Sequence, residues 1–131
     1  MVTNKRIKFW LDKISGDYAH YSAEEKEFLL ERICPMLKIT EYGDDGVMAW
    51  IGVSDVDFIK RASAVVFYVV PEKRGTSLFL RMIKDFERQA KDDGATECIV
   101  GPSISGYKEE KFNRIFSRFG YNTIYSWTKK V

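Results

Sequence analysis

Between Val70 and Leu78 the chain reads Pro-Glu-Lys-Arg-Gly-Thr-Ser, which places two cations, a glycine and two hydroxyls side by side. Residues 64–70, AVVFYVV, form a continuous apolar run before it, and helical spacing resumes at Leu78. A helix that starts where a strand ends points its unpaired first-turn N–H groups at the junction, with about half a unit of positive charge. Such an end attracts phosphate, and Lys73 and Arg74 would strengthen the attraction. Gly75 lets a ligand approach the backbone, while Thr76 and Ser77 can cap the helix or donate to an oxyanion. The same residues also suit a plain strand-to-helix connection whose cations are merely solvated. The nucleotide motifs GxxxxGK[ST] and GxGxxG are both absent.

The elements around this loop follow from periodicity. Ile7, Trp10, Leu11 and Ile14 recur at i, i+3, i+4 and i+7, the stripe of an amphipathic helix capped by Thr3 or Asn4 and followed by Gly16. Ser22 with Glu25 three residues on predicts a capping box opening a second helix. Its apolar face would be Phe28, Leu29 and Ile33, and Pro35 stops it. Leu37 to Tyr42 and Val47 to Val53 read as a hairpin turning at Gly43-Asp44-Asp45-Gly46. After a turn at residues 54–57, a longer strand runs from Phe58 to Val70, and its unalternating second half suits a central strand covered on both faces.

Leu78, Met82, Phe86 and Ala90 form one ladder of the next helix and Phe79 with Ile83 a second, and Gly94 supplies a left-handed end. The strand ECIVG then completes a right-handed βαβ unit with two parallel strands. A helix from Lys108 to Phe119, with Phe112, Ile115, Phe116 and Phe119 on one face, and a closing strand in YNTIYSWTKKV finish the chain. The expected fold is a single α/β (α+β) domain over residues 1–131, in the order ααβββαβαβ, with an antiparallel meander followed by one parallel unit.

Composition sets the outer bounds. The net charge of +2 comes from intermixed acids and bases, which does not single out nucleic acid as a partner. No apolar stretch approaches the ~18 residues of a membrane span, and MVTNKRIKFWLDKI has no signal-peptide core. Cys34 and Cys98 make no disulfide framework, which points to a reducing, cytoplasmic setting. One histidine, His20, and two distant cysteines make no metal-ligand set, so no metal is expected.

The wording VVPEKRGTSLFLRMI, set in this element order, resembles the GNAT superfamily of acyl-CoA-dependent N-acetyltransferases. There a central strand ends in a V-x-P-E-x-R-G-x-G-x-G pattern and runs into a helix. Val69, Pro71, Glu72, Arg74 and Gly75 match it, and Ile115, Arg118, Gly120 and Tyr121 resemble the later L-Y-x-K-x-G-F segment. The resemblance covers the chain from about Leu37 onward and suggests a compact, divergent member without the usual first strand, of the kind phages encode.

The resemblance implies acetyl-CoA as cosubstrate and an amine as acceptor. The pyrophosphate would lie on the loop, with Lys73, Arg74, Gly75, Thr76, Ser77 and Leu78 as its contacts. A bulge near the end of the central strand would turn the N–H of Val69 or Val70 toward the thioester carbonyl, where it would stabilise the developing oxyanion. Splayed parallel strands would admit the pantetheine arm between Val69-Val70 and the end of ECIVG.

Three departures stand out. Ser77 and Phe79 replace small residues beside the cofactor, and Phe79 would crowd it unless turned into the core. Phe116 stands where a tyrosine often protonates the leaving thiolate. No acid lies inside AVVFYVV to act as base, and Glu72 lies outside that strand. Tyr107 and Ser103, just after the second parallel strand, are the replacement catalytic candidates, with Tyr121 and Tyr125 behind them. Trp50 and Tyr68 could line an acceptor pocket, although aromatic strand residues are usually core. The alternative to an enzyme is a silent GNAT-fold protein serving as a structural or binding component, for example of a phage particle. It would act in a virion, as part of a larger assembly or as a homo-oligomer. PEKRG favours the enzyme; Phe79 and Phe116 favour the alternative.

Overall fold

The computed structural model describes residues 2–54, 58–104, 107–122 and 129–130. Helix α1 (Asn4–Ile14) opens at Thr3, whose hydroxyl accepts from Arg6 N–H at 3.3 Å, and it buries Trp10, Leu11 and Ile14. Gly16 follows its end without stopping the coil. The backbone continues through a wider π turn, Ser15–Ala19, and leaves it at His20 in the left-handed region. Helix α2 (Ala23–Phe28) carries the expected capping box between Ser22 and Glu25. A π turn at Leu29–Ile33 and a 3-10 turn at Cys34–Met36, which takes up Pro35, extend it. None of these three segments buries a side chain, and Phe28 is 54% exposed. The Phe28, Leu29, Ile33 stripe is thus not a core face, although α1 packs against the π turn that carries part of it.

Among the described residues four strands follow in sequence order across one sheet: β1 (Leu37–Tyr42), β2 (Gly46–Ser54), β3 (Arg61–Val69) and β4 (Glu97–Ile104). The first three form an antiparallel meander, and β3 with β4 is parallel. The hairpin between β1 and β2 turns where expected, with Gly43 at φ 60° and Asp45 N–H on the Tyr42 carbonyl at 3.1 Å. Strand β3 starts at Arg61 instead of Phe58, which sits on an exposed bend at φ 67° and cannot extend the ladder there. Strand β4 runs beyond ECIVG to Ile104, so Ser103 belongs to the strand and does not follow it.

Helix α3 (Leu78–Asp92) crosses between the parallel strands and buries Phe79, Met82, Ile83, Phe86 and Ala90. Gly94, at φ 91°, ends it, with Ala95 N–H reaching back to the Ala90 carbonyl at 2.9 Å. Helix α4 (Glu109–Arg118) adds Phe112 and Phe116 to the same core. The described order is therefore ααβββαβα; residues 123–128, which hold most of the expected closing strand and Tyr125, lie outside the described residues.

Strand β3 is covered on both faces, as its apolar run requires. Phe67 and Val69 face the α3–α4 layer, while Tyr68 and Val70 join Trp10 and Ile14 of α1. Alternation along one strand thus delivers two different environments to its C-terminal end.

Candidate functional site

The loop leaving β3 makes one 3-10 turn, Pro71–Lys73, before α3 begins. Its internal bonds are Lys73 N–H to the Val70 carbonyl at 3.0 Å, Arg74 N–H to Pro71 at 3.3 Å and Thr76 N–H to Lys73 at 3.4 Å. The Thr76 hydroxyl donates to the Lys73 carbonyl at 2.7 Å and accepts from Leu78 N–H at 3.3 Å. The N–H groups of Gly75, Ser77, Phe79 and Leu80 are left without an acceptor among the described residues. Gly75 makes the turn at φ 85°, a region that favours glycine, and no atom lies within 4 Å of where its Cβ would be. Lys73, Gly75, Thr76 and Ser77 are exposed. The geometry is that of an open helix N-terminus with a lysine beside it.

At the strand end the two candidate donors differ. Val70 N–H is bonded to the Asp45 carbonyl of the first hairpin at 2.9 Å. Successive backbone groups of a strand point to opposite edges. Val69 N–H therefore points the other way, toward β4. The parallel ladder breaks between Ala64 and Val66, where β4 runs from Val100 to Ile104, and among the described residues it pairs nothing beyond Val66. Pro102, with no N–H to give, lies inside that break. The bulge sits nearer the middle of β3 than its end, and the β3–β4 register among the described residues runs to Val66 and Ile104.

Arg74 turns back to this strand end. Its Nε donates to the Val69 carbonyl at 2.9 Å, and its Nη2 pairs with Asp17 Oδ2. The same carboxylate oxygen accepts from the Tyr68 hydroxyl at 3.1 Å, and the guanidinium lies 5.6 Å from the Tyr68 ring centre. Burial first, and the bond to Asp17 second, push the Tyr68 pKa up to about 12, so the phenol stays a donor at neutral pH. Asp17 had no signal in the sequence: it comes from the π turn after α1, 57 residues from Arg74.

Phe79 points into the core, 2% exposed, against Phe67, Tyr107 and Phe116 at ring distances of 5.8, 4.6 and 6.0 Å. It leaves the first turn of α3 unobstructed. Tyr107 is half-buried, and Ser103 enters through its backbone position in β4 alone. The Tyr121 hydroxyl is buried with no hydrogen-bond partner among the described residues. Burial first, with Glu87 and Cys98 nearby, drives its pKa far above the ordinary range, so the phenol keeps its proton near neutrality. Trp50 is core, its indole N–H on Gln89 at 2.8 Å. His20 and Glu72 are exposed. A groove of about 370 Å³ between α1 and α2, lined by Lys8, Leu11, Lys26 and Glu31, lies apart from this cluster.

No family model matches this chain, and no curated protein does. Solved structures do. An acetyltransferase of Trypanosoma brucei superposes with a TM-score of 0.70 at 12% identity, covering 99% of this chain and 95% of the other. AAC(6')-Iy, solved with the bisubstrate analogue CoA-S-monomethyl-acetylneamine, gives 0.69 at 13% identity over 97% and 93%. A transcriptional regulator of Bacillus halodurans C-125 gives 0.70 at 10% identity over 99% and 95%. The mixed sheet, its parallel β3–β4 pair and the crossing α3 are the GNAT fold. At these identities the likeness establishes architecture, and the regulator shows that one architecture carries more than one description. Among the described residues no helix is long and apolar enough to cross a membrane.

Proposed function

We propose that the chain is an acyl-CoA-dependent N-acetyltransferase, transferring acetyl from acetyl-CoA to an amine. The observation that carries this reading is the set of N–H groups at Gly75, Ser77, Phe79 and Leu80 that find no acceptor among the described residues, opened by the inward turn of Phe79. These donors and Lys73 suit a pyrophosphate. Val69 N–H, on the edge where β4 has stopped pairing, suits the thioester carbonyl oxygen. The amine nitrogen attacks the carbonyl carbon, a C–N bond forms, the C–S bond breaks and the amine loses a proton. Placement supplies much of the rate, since holding the reactants together replaces a bimolecular encounter. Tyr107 and Ser103 are the candidates for returning a proton to the thiolate.

A thermal shift titration with acetyl-CoA tests the reading, because a ligand that binds only the folded state raises Tm. A rise at ~1 mM that Gly75→Asp removes is expected; an unchanged Tm rejects the proposal. Phe116 supports a second reading, in which the fold binds without catalysis, since its ring has no proton to donate. A Tm rise with no free thiol released across a panel of amines would select that reading.

A further inference from the structure

Arg74 is assigned to the cofactor anion by its place in the loop, yet its guanidinium already holds a carboxylate. Asp17 Oδ2 takes both Arg74 Nη2 and the Tyr68 hydroxyl, while Oδ1 has no partner among the described residues. The two side chains keep 20–22% of their surface exposed, so solutes can reach them. They are also sheltered enough that an unpaired charge there would be unfavourable. The planar guanidinium bonds Val69 and Asp17 through neighbouring nitrogens, which holds the carboxylate close to the Val69 carbonyl.

We propose that Asp17 and Arg74 exchange partners when substrates bind: the pyrophosphate of acyl-CoA takes Arg74, and a cationic amine acceptor takes Asp17. The inference rests on the acyl-CoA reading and adds the acceptor class, an amine that arrives as an ammonium ion. If the anion alone drew Arg74 away, Asp17 would keep only the neutral Tyr68 donor. An arriving ammonium restores its counter-charge. Each ligand therefore favours the other, and the coupling is reciprocal. Asp17 thus acts as a specificity-determining residue that the unliganded protein keeps occupied with its own cation.

Isothermal titration of CoA into the full chain tests this, using wild type, Asp17→Asn, Arg74→Ala and the double variant, with and without n-butylammonium. Asparagine keeps the shape and an oxygen acceptor for Tyr68, so the fold is retained. Asp17→Asn should tighten CoA about three- to tenfold by releasing Arg74. The same change in the Arg74→Ala background should alter Kd less than ~2-fold. Butylammonium should tighten CoA binding to wild type and not to Asp17→Asn.

Equal Kd values for wild type and Asp17→Asn would overturn the exchange while leaving the acyl-CoA reading intact. A gain that persists without Arg74 would also overturn it, since mere removal of negative charge would then suffice. Equal response to butylammonium in both proteins would remove Asp17 as the amine's site. No CoA binding by any variant would overturn the inference together with the reading beneath it.

Discussion

Helices α2 and α3 carry the same kind of apolar stripe and meet opposite fates. Along α3 five side chains are buried, against the sheet on one side and α4 on the other. Along α2 and its π turn none is, and Phe28 stands 54% exposed. A stripe specifies which face of a helix is apolar; burial needs a partner surface of matching size. The packed helix begins at the candidate cofactor loop, and the uncovered one follows the turn that supplies Asp17. Rigid packing thus stands behind the loop, while the proposed acceptor side is built from the less buried end of the molecule.

Five variants would break or sharpen that contrast. Phe86, fully buried against Trp50 and Phe67, should cost about 3–5 kcal/mol as Phe86→Ala in urea unfolding. Phe28→Ala should stay within ~0.5 kcal/mol, and similar losses at both sites would erase the distinction. At the entry to α3, Gly75→Ala should cost about 1–2 kcal/mol, because φ 85° strains any side chain even where space is open.

Tyr68→Phe should cost about 1 kcal/mol at neutral pH through the lost bond to Asp17. It should also flatten an alkaline limb of stability. The Tyr68 pKa is raised in the fold, so its contribution is complete below its ordinary value of 10.0 and disappears as pH rises toward about 12. A Tm profile that falls equally steeply in the variant over that window would contradict the assignment. At the entry to α2, Ser22 holds the Glu25 carboxyl below its ordinary value of 4.5. Its contribution is present above that value and is lost as pH falls through the lower folded one. Hydrogen exchange in the first turn of α2 should therefore quicken on acidification in wild type, and much less in Glu25→Gln.

Features set by neighbours in the chain were legible in the sequence. The α3 ladders, the Ser22–Glu25 capping box, the Gly43–Gly46 hairpin and the Gly94 helix end all appear where residue type and spacing placed them. Features set by distant partners were not. No local pattern announces that Arg74 turns onto Asp17, or that Val70 N–H belongs to Asp45. The length of β4 was hidden as well, because Pro102 reads as a strand end while Ile104 still finds Val66. Phe79 was ambiguous for a related reason: its ring could meet the cofactor or the core, and the distant rings of Phe67, Tyr107 and Phe116 decide which.

The bond between Asp45 and Val70 has a consequence for altering this protein. Surface hairpins normally accept insertions, and Gly43 to Gly46 has the composition of a permissive graft site. Here the turn is a spacer of fixed length. A Cβ on Gly46 would come within 3.0 Å of the Tyr68 carbonyl and 3.3 Å of Leu78, at the head of α3. A peptide tag spliced between Asp44 and Asp45 would free Val70 N–H and let the start of α3 drift, so the graft would disturb a loop some thirty residues downstream.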